Sequence, residues 1–126
     1  MKKIFITGDR SMDPVKAAGA VEAILKDLIV QNDGDLAVAT GNLAGGVERA
    51  VRYLLPEADV NVFPYEQTAD GLINFDEMFA ALADESDEIV FVHMDPQSSR
   101  IGKAIFAHVP SEKIRMPFQE AMAEML

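Results

Sequence analysis

Three short segments of this chain bring together residue types that could do chemistry, and each follows an apolar or β-branched run. Gly8-Asp9-Arg10-Ser11 sets a guanidinium just past a turn, and its planar fork of donors suits a phosphate or a carboxylate. Arg10 would equally suit an ion pair with Asp9 or Asp13, or a place at the solvent surface. The second segment, Gly41-Asn42-Leu43-Ala44-Gly45-Gly46-Val47-Glu48, is rich in glycine. Gly41 lets the chain leave a strand without a Cβ clash. Gly45 and Gly46 enter a helical pattern, where free N–H groups and the positive end of the helix dipole attract an anion. The same glycines also suit a tight strand-to-helix turn with no ligand. Glu48 falls in the first helical turn. There it could cap free N–H groups, accept hydrogen bonds from ribose hydroxyls, or act as a general base beside a glycosidic bond.

The third segment runs from His93 through Asp95, Ser98 and Ser99 to Arg100. Ser98 or Ser99 is a good helix N-cap, and the same hydroxyls could hold a second phosphate. Asp95 fits a turn. His93 ends a strand and faces its mouth, but it lacks the Asp and Ser or Cys partners of a nucleophilic centre. His108 lies near a helix end, where a partial positive charge is favourable without any function.

Other chemistries are argued against. There is no cysteine among the 126 residues, so disulfides, thiolate catalysis and Cys-ligated zinc are excluded. The two histidines lack His-x-x-x-His spacing, so no metal site is expected. Neither a GxxxxGK[ST] phosphate loop nor a GxGxxG dinucleotide fingerprint is present, and no cofactor is expected. The net charge of −10 opposes a sequence-independent grip on nucleic acid, which needs Lys and Arg to neutralise phosphates. No apolar run is long enough to span a membrane, and the apolar run after Met1-Lys2-Lys3 is too short for a signal-peptide core. A cytoplasmic location is the expectation.

The elements that must position these residues alternate. Lys3–Thr7 reads as a buried strand. Asp13-Pro14 opens a long helix, with Asp as N-cap and Pro at the first helical position, and Asn32-Asp33-Gly34-Asp35 stops it. Strands are expected at Leu36–Thr40, Val60–Phe63, Glu88–His93 and, weakly, Ile114–Met116. Between and after them, helices are expected from about Val47 to Leu55, Asn74 to Ala83, Arg100 to Ala107, and Phe118 to Leu126. Pro64 closes the third strand, and Tyr65–Asp70 reads as loop. The alternation predicts one α/β domain, Rossmann-like and doubly wound, with a mostly parallel sheet of about five strands and helices on both faces. In such folds ligands bind outside the carboxyl ends of the strands, where these three segments fall.

The motifs together resemble the SLOG superfamily, the Rossmann-like group that includes the DprA/SMF proteins, the LOG phosphoribohydrolases and small YspA- or YpsA-like proteins. Ile6-Thr7-Gly8-Asp9-Arg10 is similar to the family's strand followed by a Gly-Ser-Arg motif, with Asp9 in place of the small residue. Thr40-Gly41-Asn42-Leu43-Ala44-Gly45-Gly46-Val47-Glu48 is similar to its Ser-Gly-x-Ala-x-Gly-[Ile/Val/Ala]-[Asp/Glu] pattern, with one extra loop residue. The resemblance implies binding of a nucleotide or nucleotide derivative at Gly8, Arg10, Gly41, Gly46 and Glu48, and it favours a homodimer. It departs at Gln97–Lys103, which lacks the Pro-Gly-Gly-x-Gly-Thr-x-x-Glu segment of LOG enzymes and is closer to the Ser-x-Gly-Thr-Lys segment of YspA-like proteins.

The leading expectation is therefore a binding or sensor domain for a nucleotide-derived ligand, contacted by Gly8, Asp9, Arg10, Gly41, Asn42, Gly45, Gly46, Glu48, Ser98, Ser99 and Arg100. One alternative is a nucleotide N-glycosidase in which Glu48 is the catalytic residue. Another is a nucleic-acid-associated module. Phe118, Met122 and Leu126, with Met78 and Phe79, would serve either the core or a dimer contact.

Overall fold

The computed structural model describes residues 1–60 and 74–124. Among the described residues five strands form one sheet: β1 (Lys2–Gly8), β2 (Leu36–Thr40), β3 (Asp59–Val60), β4 (Glu88–Val92) and β5 (Ile114–Arg115). Every pairing is parallel, and the spatial order is β3-β2-β1-β4-β5. Five α-helices alternate with them: α1 (Pro14–Gln31), α2 (Gly46–Leu54), α3 (Phe75–Glu85), α4 (Arg100–His108) and α5 (Pro117–Glu124). This is the doubly wound α/β architecture that the alternation predicts.

The period-two alternation of β1 divides the core into two layers. Ile4 and Ile6 face α1 and α2 together with Val90 and Val92 of β4. Phe5 faces α3 and α4 together with Ile89 and Phe91. β1 and β4 are apolar on both faces because helices cover both. Met78 and Phe79 belong to this second core layer. Phe118 packs against the first layer, and Met122 is exposed.

Local signals start and stop the helices as expected. The Asp13 carboxylate accepts from the Lys16 N–H at 3.1 Å, and Pro14 occupies the first helical turn of α1. Asp33 and Gly34 then take left-handed φ values of 51° and 75°, which turn the chain into β2. Asn74 caps α3 and Ser99 caps α4. The expected boundaries shift by a residue or two, as frayed helix ends allow. α2 begins at Gly46 rather than Val47, and β4 stops at Val92 rather than His93. β3 begins at Asp59, whereas the expected strand residues Asn61–Phe63, Pro64 and the loop Tyr65–Asp70 lie outside the described residues, as does Leu126. Among the described residues, no helix is long and apolar enough to cross a membrane.

Candidate functional site

In a parallel sheet every α-helix begins near the carboxyl ends of the strands, so the three loops singled out by sequence open on one edge of the molecule. The chain winds from β1 toward β2 and β3, then crosses back and winds outward through β4 and β5. The loops after β1 and β4 therefore diverge, and a crevice opens between them at the topological switch point. It is about 190 Å³ in volume and is lined by Asp9, Arg10 and Ser11 on one side and His93, Ser99, Arg100 and Ile101 on the other, with Phe75 of α3 beside them.

Each wall is built by short hydrogen bonds. The Asp9 N–H donates to the Val92 carbonyl at 3.1 Å, which holds the first loop against the end of β4. The Asp9 carboxylate accepts from the Ser11 N–H at 2.8 Å, so its charge is engaged in the turn. Arg10 is exposed and forms no hydrogen bond or ion pair among the described residues, so its donors remain free. Opposite, the Ser99 hydroxyl accepts from the Gly102 N–H at 2.8 Å and fixes the start of α4. The Arg100 guanidinium lies over the Phe75 ring at 5.2 Å, in cation–π geometry. His93 Nδ1 accepts from the Asp95 N–H at 2.9 Å, which makes Nε2 the ring's donor in the neutral form. Ser98 turns away from this arrangement: its hydroxyl donates to the Asp95 carboxylate at 2.6 Å.

The glycine-rich second loop does different work. Gly46 has φ +65°, and a Cβ there would overlap the Asp9 carbonyl oxygen and the Arg10 backbone. The Val47 N–H donates to that same Asp9 carbonyl at 3.2 Å. The start of α2 is thus filled by the backbone of the first loop. Gly8, buried at the end of β1, fits where a side chain would strike the Val92 carbonyl and Val47. Gly41 leaves room for the carboxylate of Glu48, and Asn42 is exposed on the loop beyond.

Glu48 is 1% exposed. One carboxylate oxygen accepts from the Thr7 hydroxyl at 2.7 Å and the other from the Leu43 N–H at 3.0 Å. Burial pushes its pKa up from 4.5, while the Thr7 hydroxyl, the Leu43 N–H and the nearby Arg52 charge pull it back down. The Arg52 guanidinium donates to the carbonyls of Gly41 at 2.7 Å and Leu43 at 2.5 Å. Glu48 and Arg52, one turn apart on α2, together hold the Gly41–Leu43 segment, and Glu48 ties it to β1 through Thr7.

Of the residues expected to form a site, Asp9, Arg10, Ser99 and Arg100 line the switch-point crevice. Gly45 and Gly46 line a second, larger cavity that also reaches Arg10. Gly8, Gly41 and Glu48 are buried behind the loops, and Asn42 and Ser98 line neither cavity. Ser11, His93 and Ile101 line the crevice from the two loops without having been among the expected contacts, and Phe75 enters it from an element that sequence reasoning did not place at the site. The signal for Phe75 was positional: the residue after the Asn74 cap starts a helix at the ligand-binding edge.

No protein-family model matches the chain, and searches of curated proteins and of solved structures give no significant match. The likeness to the SLOG superfamily therefore rests on the sequence motifs alone.

Proposed function

We propose that this protein binds a small phosphate-bearing molecule, a nucleotide or nucleotide derivative, with the phosphate in the crevice between the β1 and β4 loops. The observation that carries this reading is Arg10. In a chain of net charge −10, a guanidinium with no partner among the described residues stands at the switch point, facing Arg100, Ser99 and His93 across the crevice. A guanidinium beside the Ser11 hydroxyl, the Ser99 hydroxyl (which donates to the Pro96 carbonyl only at a long 3.4 Å) and an imidazole N–H is the donor set that a phosphate dianion takes up.

N-glycosidic hydrolysis finds no support in this geometry. Glu48, the carboxylate such chemistry would use, reaches no solvent and accepts from groups of the protein itself. Binding without turnover is the reading that fits.

The test is calorimetry and thermal shift against nucleoside monophosphates, cyclic nucleotides and ADP-ribose compounds. A cognate ligand at a hundred times its Kd raises stability by about 2.7 kcal/mol. Arg10→Gln weakens it about ten-fold or more, since a hydrogen bond to a charged group is worth about 1.5–3 kcal/mol. Absence of stabilisation by every member of the panel would overturn the proposal.

A further inference from the structure

The switch-point crevice is too small for a whole nucleotide. Its volume of about 190 Å³ lies below the range of about 300–1,000 Å³ typical of small-molecule sites. A second cavity of about 550 Å³ adjoins it, and Arg10 lines both. This groove starts at the N-termini of α1 and α2 and runs down between their outward sides. Val15 and Ala18 face it from α1; Ala50 and Tyr53 face it from α2, and Met12 lines it as well. Its lining is mostly apolar, with the Arg49 guanidinium as a second cation beside Arg10.

Tyr53 and Val15 are 81% and 82% exposed, and the core does not explain them. A second copy of the chain fits poorly here. A two-fold contact through this face would gather Arg10 and Arg49 of both copies into one interface, with no carboxylate in the groove lining to offset them. The occupant that matches apolar walls next to two guanidiniums is a flat apolar ring carrying an anion.

Resting on the binding reading above, we infer that the α1–α2 groove is the nucleobase subsite of the same ligand: the phosphate lies at Arg10, and the base lies between Val15 and Tyr53. Stacking on the tyrosine ring and contact with Ala18, Ala50 and Met12 then set the preference for a nucleotide over a bare sugar phosphate. Aromatic stacking of this kind is sequence-tolerant, so the groove selects for the presence of a base before its identity.

The experiment compares nucleoside monophosphates with ribose 5-phosphate by calorimetry on the full chain, wild type and Tyr53→Ala. The expected result is that at least one nucleoside monophosphate binds about ten-fold or more tightly than ribose 5-phosphate, and that Tyr53→Ala brings this ratio close to one. In the wild type, amide resonances of Val15, Ala18, Ala50 and Tyr53 shift with the nucleotide and not with ribose 5-phosphate. Because Tyr53 is so exposed, the variant folds, and circular dichroism checks this. Equal binding of both ligands, with Tyr53→Ala neutral, overturns the base subsite and leaves the phosphate site standing. Binding of neither overturns the base subsite, and the phosphate reading is then decided by the cyclic nucleotides and ADP-ribose compounds of the wider panel. A Tyr53→Ala variant that changes the sedimenting mass while leaving the ratio intact shows a self-association face and overturns the subsite.

Discussion

Glu48 shows how one side chain can be legible in type while its partners are not. A carboxylate two residues after a glycine pair, at the start of a helix, suits a ligand contact as well as it suits a cap. The deciding facts are burial and Gly41, which vacates the space the carboxylate fills. Glu48→Ala leaves the buried Thr7 hydroxyl and the part-buried Leu43 N–H without acceptors, and costs about 3 kcal/mol in urea unfolding. Glu48→Gln keeps an acceptor for Leu43 and can donate to Thr7 Oγ1, so it costs less. The two forms also diverge with pH. The folded-state pKa lies above the unfolded value near 4.5, so in that interval the native state holds a proton that the unfolded chain has released. The contribution of Glu48 is full below 4.5 and is lost as pH rises through its folded pKa. Unfolding free energies from pH 4 to 8 should show wild type losing ground to Glu48→Gln as pH rises. A constant difference across that range would show that burial does not control this carboxylate.

At the scale of elements, the sequence carried most of the fold. Asp13-Pro14, Asn32–Asp35 and the Ser98-Ser99 pair each punctuate a helix through a local mechanism, so a linear reading finds them. The packing of one loop against another was not legible. That Gly46 receives the backbone of Asp9 and Arg10 is a contact between segments far apart in the chain, and periodicity carries no trace of it. The same holds for Phe75, brought to the crevice by the crossover from β3 to β4. The caps allow a controlled comparison. Asp13→Ala and Ser99→Ala each remove one side-chain cap and should each lower stability by about 1 kcal/mol. Only Ser99 also lines the crevice. Ser99→Ala should therefore weaken phosphate-ligand binding measured by calorimetry, while Asp13→Ala leaves it at the wild-type value. Equal affinities in the two variants would remove Ser99 from the site.

The whole molecule sets the two electrostatic scales against each other. The chain carries a net charge of −10, yet Arg10, Arg49 and Arg100 gather around the two adjoining cavities at the carboxyl edge of the sheet. The acidic remainder repels itself in the folded state, a cost that salt screens. The local cations attract an anionic ligand, a gain that salt also screens. Raising sodium chloride from 0.1 to 1 M shortens the screening length from about 10 Å to about 3 Å. Over that range the midpoint of thermal unfolding without ligand should rise, while the extra stabilisation given by a fixed concentration of nucleotide should shrink. Thermal scans with and without the ligand at both salt concentrations read the two effects together. Nucleotide stabilisation that stays constant or grows with salt would mean that the guanidiniums are not what holds the phosphate. An unliganded midpoint that falls would mean that the surface charge is already balanced within the fold.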